Sequence, residues 1–158
     1  MKHIISVLVE NKFGVLTRIA GLFSGRGYNI HSLNVAPTHD PSLSRMTIVT
    51  QGDESTIEQI VKQLNKLVEV LKVDDFSEND EHIDRELALI RIQTTPKTRT
   101  EAIQMAQIFR AKIVDVQTDS LTLEVTGHEG KIEKFIELMK HFIIEEIIRT
   151  GRIAISRE

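Results

Sequence analysis

A helical stripe of apolar residues occurs twice in this chain. Ile57, Ile60, Val61, Leu64, Leu67 and Val68 have apolar counterparts 75 residues later at Ile132, Phe135, Ile136, Met139, Phe142 and Ile143, and Gly52 recurs at the same distance as Gly127. Amphipathic helices share a period, so part of the agreement is generic, but the matched glycine ahead of both stripes points to a duplicated module. A chain of 158 residues then divides into two small related units, and the fold is restricted to what one such unit builds.

The first copy is the more complete. His3 to Glu10 is dense in Ile and Val and reads as a strand, and Asn11, Lys12, Phe13 and Gly14 interrupt it. Val15, Leu16, Ile19, Ala20, Leu22 and Phe23 then line one side of a helix that Gly25 and Gly27 end. Tyr28 to Val35 and Arg45 to Gln51 are strands joined through a proline-containing turn from Pro37 to Ser44. Ser55 and Glu58 have capping-box spacing at the head of the repeated stripe, and Val70 to Phe76 returns as a strand. Strand, helix, strand, strand, helix, strand is the ferredoxin-like split arrangement.

After a polar, acidic linker over residues 77–85, SENDEHIDR, the pattern restarts. Glu86 to Gln93 is strand-like, and Thr98 and Glu101 form a second capping box ahead of a helical face made by Ala102, Met105, Ala106, Ile108 and Phe109. Ile113 to Gln117 and Leu121 to Thr126 are strands on either side of a turn at Asp119 and Ser120, and Gly127 opens the last helix. The fold class expected is α+β, with two tandem ferredoxin-like βαββαβ domains at residues 1–76 and 86–158. Strand one is apolar on both faces, with Ile5, Val7 and Val9 on one and Ile4 and Leu8 on the other. Helices cover only one face of such a sheet, so the second face or an edge is expected to be covered by side-by-side or back-to-back pairing with another copy, making a homodimer.

Composition removes several classes of function. There is no cysteine, which excludes thiol catalysis, disulfide frameworks and cysteine zinc sites and leaves the cytoplasm as the default location. Lys and Arg number 20 against 23 Asp and Glu, with no basic cluster, so nucleic acid is not an expected partner. The RNA-recognition module has the same element order but needs exposed aromatics to stack bases, and aromatics are 4% of this chain. No apolar run has membrane-spanning length, and the N-terminus lacks a signal-peptide cleavage pattern, so no membrane partner is expected. His3, His31, His39, His82, His128 and His141 are scattered without metal-ligand spacing, and neither GxSxG nor GxxxxGK occurs. No catalytic residue and no metal ligand is assigned.

The junction Asn11, Lys12, Phe13, Gly14, Val15, Leu16 between strand one and helix one stands out, answered by Asn29 at the start of strand two. A glycine at a strand-to-helix turn lets a ligand approach the backbone, and the free amides of the helix favour a carboxylate. Asn11 and Asn29 each donate and accept, so together they suit the ammonium and carboxylate of a zwitterion, with Val15, Leu16, Ile30 and Val35 as apolar surroundings. An ordinary turn whose asparagines satisfy backbone groups accounts for the same residues. Helix alignment sets Thr100 opposite Gly14, so the second module is not expected to bind the same ligand.

The string SVLVENKFGVLTRIAGLFSGRGYNIHSL, followed by VAPTHDPSLSRMTIVTQGD, closely resembles the small regulatory subunit family of acetolactate synthase (acetohydroxyacid synthase), nearly continuously from residue 4 to 76 and more loosely beyond. The resemblance implies an N-terminal ACT domain, a ligand-sensing form of the split arrangement, and a C-terminal domain of related fold. It implies a non-catalytic homodimer that joins the large catalytic subunit, raises its activity and confers feedback inhibition by valine or a related branched-chain amino acid. Thiamine diphosphate, magnesium and FAD are expected in the large subunit, and no cofactor in this chain. By position, the effector site falls on Asn11, Gly14 and Asn29, with Phe13, Val15, Leu16 and Ile30 around it, between two ACT domains of the dimer. The alternative from another class is a free-standing ACT-domain amino-acid sensor that controls another enzyme or a regulator.

Overall fold

The computed structural model describes residues 2–76 and 81–158. They form two compact units, residues 2–76 and 81–83 with Arg152–Glu158, and Asp84–Gly151.

In the first unit the order is β1 (Lys2–Glu10), α1 (Val15–Gly25), β2 (Ile30–Pro37), β3 (Leu43–Gln51), α2 (Glu54–Asn65) and β4 (Val70–Asp75). The sheet runs β2-β3-β1-β4, antiparallel throughout, which is the ferredoxin-like arrangement. Register follows the period of two: Ile5 pairs with Ile48 and Val7 with Met46 and Val73, so one face is continuously apolar. Val15, Ile19 and Phe23, spaced four apart on α1, and Ile57, Ile60 and Leu64 on α2 close over that face. Burying a side chain such as Phe23 or Ile19 stabilises the unit by about 1.5–3 kcal/mol.

The opposite face is already covered within the chain. Ile4, Ser6, Thr47 and Val49 are buried there, and Ala154 and Ile155 of the C-terminal strand β9 (Ile153–Ser156) border a cavity against Ser6 and Arg45. This face therefore does not by itself call for a second copy, which leaves the sheet edge as the place for one. The last seven residues of the expected 86–158 domain group by contact with the first unit. A short exposed strand carries too little pattern of its own to announce that placement.

The second unit repeats the arrangement with β5 (His82–Gln93), α3 (Pro96–Ile108), β6 (Lys112–Val116), β7 (Ser120–Gly127), α4 (Glu129–Met139) and β8 (Ile144–Arg149), in sheet order β6-β7-β5-β8. Ile90 pairs with Leu123 and Ile147, and Ile92 with Leu121, beneath Ala102 and Ala106 of α3 and Ile132, Phe135, Ile136 and Met139 of α4. The buried carboxylate of Glu86 is held by Arg149, whose Nε lies 2.5 Å and Nη2 3.1 Å from its two oxygens. The expected linker differs: His82–Arg85 belong to β5, and residues 77–80 lie outside the described residues.

Helix limits also differ from the sequence reading. α2 is capped by Asp53, which accepts from Thr56 N at 2.8 Å, and α3 by a reciprocal Thr95–Thr98 box, each ahead of the expected Ser55 and Thr98 starts. α4 ends at Met139, so Phe142 fills the core from the following loop and Ile143 is largely exposed. The structural counterpart of Gly14 is thus Thr95, each preceding the first residue of its helix, instead of Thr100.

Candidate functional site

The β1–α1 junction is built by backbone bonding to two neighbouring loops. Glu10 N donates to Glu69 O at 2.8 Å and Asn11 N to Ser42 O at 2.7 Å, so the chain leaves the sheet between the α2–β4 and β2–β3 connections. Asn11 Nδ2 donates to Pro41 O at 3.0 Å, which spends one of its two N–H donors on the turn and directs the acceptor Oδ1 elsewhere. Asp40 stiffens that turn by accepting from Ser42 N at 3.0 Å and Ser42 Oγ at 2.7 Å. These two bonds hold the Asp40 carboxyl below its ordinary value, the hydroxyl contributing most. Pro41 and Ser42 were not singled out in the sequence, because only the folded turn brings them to Asn11.

Gly14 has φ 86°, the left-handed region that glycine enters at no steric cost, and it immediately precedes α1. Its missing side chain leaves α1 without a side-chain cap, whereas Asp53, Thr95 and His128 cap the other three helices described. Val15 N reaches Lys12 O at 3.4 Å and Arg18 N bonds Gly14 O at 3.0 Å, so the amides of Leu16 and Thr17 between them have no partner within the helix. Apart from Gly14 and its two chain neighbours, no heavy atom lies within 4 Å of where a Gly14 Cβ would be, so the space in front of the helix is open. Such a terminus attracts a carboxylate.

The predicted residues do not all meet in one chain. Asn11, Gly14 and the half-exposed Leu16 share the junction, where Phe13 is fully exposed; Val15, expected to face a ligand, is buried in the core instead. Asn29 stands elsewhere: its carbonyl accepts from Thr50 Oγ1 at 2.6 Å, and Thr50 pairs with both Ile30 and His3. From His3 to Asn11 is eight residues of β1, about 26 Å at roughly 3.3 Å per residue. Asn11 and Asn29 therefore occupy opposite ends of one sheet, and no small molecule touches both within a single copy.

Among the described residues no group of three or more His, Asp and Glu is poised to hold a metal ion, and no helix is long and apolar enough to cross a membrane.

Comparison with known proteins accounts for both units. Residues 5–72 match the family described as the AHAS small subunit-like ACT domain, and residues 85–158 that described as the small subunit of acetolactate synthase. The acetolactate synthase small subunit of Aquifex aeolicus is 51% identical over 99% of this chain and 82% of its own length. That of Haemophilus influenzae is 49% identical over 99% and 96%. The crystal structure of the small subunit from Thermotoga maritima superposes with a TM-score of 0.92 at 43% identity, covering 100% of this chain and 98% of that one.

Proposed function

This chain belongs to the acetolactate synthase small-subunit family, and from that premise we propose that it is a non-catalytic regulatory subunit that raises the activity of a large catalytic subunit and makes it sensitive to valine. Thiamine diphosphate, magnesium and FAD belong to the large subunit in this reading.

The observation that carries the proposal is the open start of α1 beside Asn11, with Asn29 at the opposite end of the sheet. An α-amino acid presents a carboxylate and an ammonium. The unpartnered amides after Gly14 receive the first, and the free Oδ1 of Asn11 receives the second. The distant Asn29 supports a site shared between two copies. β2 is an edge strand that begins at the Asn29 end and finishes at Pro37, opposite Ser44, next to the Asn11 end. Two copies set antiparallel along β2 bring Asn29 of the partner subunit to the Asn11 corner, and by symmetry the reverse, giving two equivalent sites per dimer.

A ligand held by both copies favours one geometry of the pair. If the catalytic subunit works less well against that geometry, valine inhibits by population shift, with a coupling of about 1–3 kcal/mol, or roughly 5- to 150-fold. The test is reconstitution: the chain should co-purify with a large thiamine-dependent synthase, raise its turnover and confer inhibition by valine. Failure to bind that synthase, or acetolactate formation by this chain alone, overturns the proposal.

A further inference from the structure

The corner of the second unit where β5 leads into α3 repeats the backbone bonding of the Asn11 corner. Gln93 N donates to Ile143 O at 2.8 Å as Glu10 N does to Glu69 O, and Thr94 N donates to Asp119 O at 2.8 Å as Asn11 N does to Ser42 O. Thr94 is thus the counterpart of Asn11, and Asp119 that of Ser42. Here the corner opens into a cleft of about 430 Å³, walled by Gln93, Thr94, Thr98, Asp119, His141 and Phe142. That volume suits a small molecule.

The polarity of the corner is inverted. Pro96 begins α3 without an N–H, and Thr95 and Thr98 satisfy one another's backbone amides at 2.7 and 3.3 Å, so little of the helix start is left for an anion. The carboxylate of Asp119, in contrast, has no hydrogen-bond or ion-pair partner among the described residues. The nearby Arg99 donates through Nη2 to the carbonyls of Gln117 and Thr118 and so fixes the turn that carries Asp119, while its buried Nε has no hydrogen-bond partner. His141 is paired with Glu101 at 3.3 Å, and the buried Phe142 supplies an apolar wall.

We propose that this cleft is a second ligand site, for a small organic ammonium on an aliphatic body, with Asp119 receiving the ammonium and Phe142 the aliphatic part. The site is independent of valine binding in the first unit. Isobutylamine and isobutyrate, which separate the amine from the carboxylate, test it by titration of the isotope-labelled full chain carrying Gly14→Asp, followed by amide NMR. Isobutylamine should move the Thr94, Thr98 and Asp119 resonances saturably while isobutyrate does not, and adding Asp119→Asn should weaken the amine about tenfold. Asp119→Lys, on the exposed turn, should abolish the response with the remaining spectrum unchanged. No saturable shift, an equal response to isobutyrate, or undiminished binding in both Asp119 variants overturns the assignment.

Discussion

Asn11 and Asn29 stand at opposite ends of one antiparallel sheet, Asn11 bonded to Ser42 beyond the last residue of β1 and Asn29 bonded to Thr50, which pairs with His3 near the start of that strand. If both contact one valine, each site takes one asparagine from each copy. Asn11→Ala and Asn29→Ala dimers should each lose inhibition, because every site in them lacks one partner. Mixed dimers of the two variants contain one doubly altered site and one intact site. Refolding the variants together should restore valine binding, by calorimetry, to about one site in the mixed dimer. No recovery on mixing would show that the two residues do not share a ligand.

Gly14→Asp should abolish valine inhibition and leave activation of the large subunit in place. The variant is expected to fold, because nothing beyond the chain neighbours lies within 4 Å of the new Cβ and aspartate tolerates the left-handed conformation better than most residues. Its carboxylate then occupies the position that the helix start offers to the ligand. Gly14→Ala is the control: it carries the backbone cost, about 1 kcal/mol, without the charge, and should keep more of the response. The check is the valine dose–response of reconstituted holoenzyme, and unchanged inhibition by the aspartate variant would move the site elsewhere.

How much of this was legible in the sequence depended on the range of the interaction. β1 and α1 were readable because Ile5, Val7 and Val9 alternate and Val15, Ile19 and Phe23 recur every fourth residue. The caps were displaced because Asp53 and Thr95 compete with equally plausible Ser55 and Thr98, and only packing selects among them. β9 was invisible because its placement comes from a partner strand far away in the chain. The junction around Gly14 was visible as a turn, but the distance from Asn11 to Asn29 is set by the β1–β3–β2 register, which no local pattern encodes.

The Asp53 cap makes part of the stability of the first unit depend on pH. Its carboxyl is held below the ordinary value of 3.8, chiefly by the Thr56 backbone N–H. A depressed folded-state value means that the stabilisation is complete above the unfolded value and disappears as pH falls through the folded one. Asp53→Ala should therefore lower the melting temperature by a constant amount from roughly pH 5 to 8, with the gap to wild type closing below about pH 4. Asp53→Asn caps without titrating and should stay close to wild type at neutral pH. A gap that widened on acidification would reverse the sign assigned to this carboxylate.

Arg149 should matter to the second unit mainly through what its loss leaves behind. Glu86 is 4% exposed, and its two oxygens are bonded by Arg149, which also reaches Glu133 at 2.7 Å. The Glu86 bond is the chief reason the guanidinium is held above its ordinary value. Arg149→Ala strands a buried carboxylate, and the expected loss is about 2–3 kcal/mol, below the usual figure for a fully buried pair because the arginine side chain is a third exposed. Glu133→Ala removes only the outer, solvated contact and should cost less than about 1 kcal/mol. The decisive variant is Glu86→Leu with Arg149→Met, which removes both charges and keeps apolar volume. It should unfold in urea closer to wild type than Arg149→Ala does, since no ion is left unpaired. If the double variant instead lost the sum of the single effects, the pair would be contributing net stability and the stranded-charge account would be wrong.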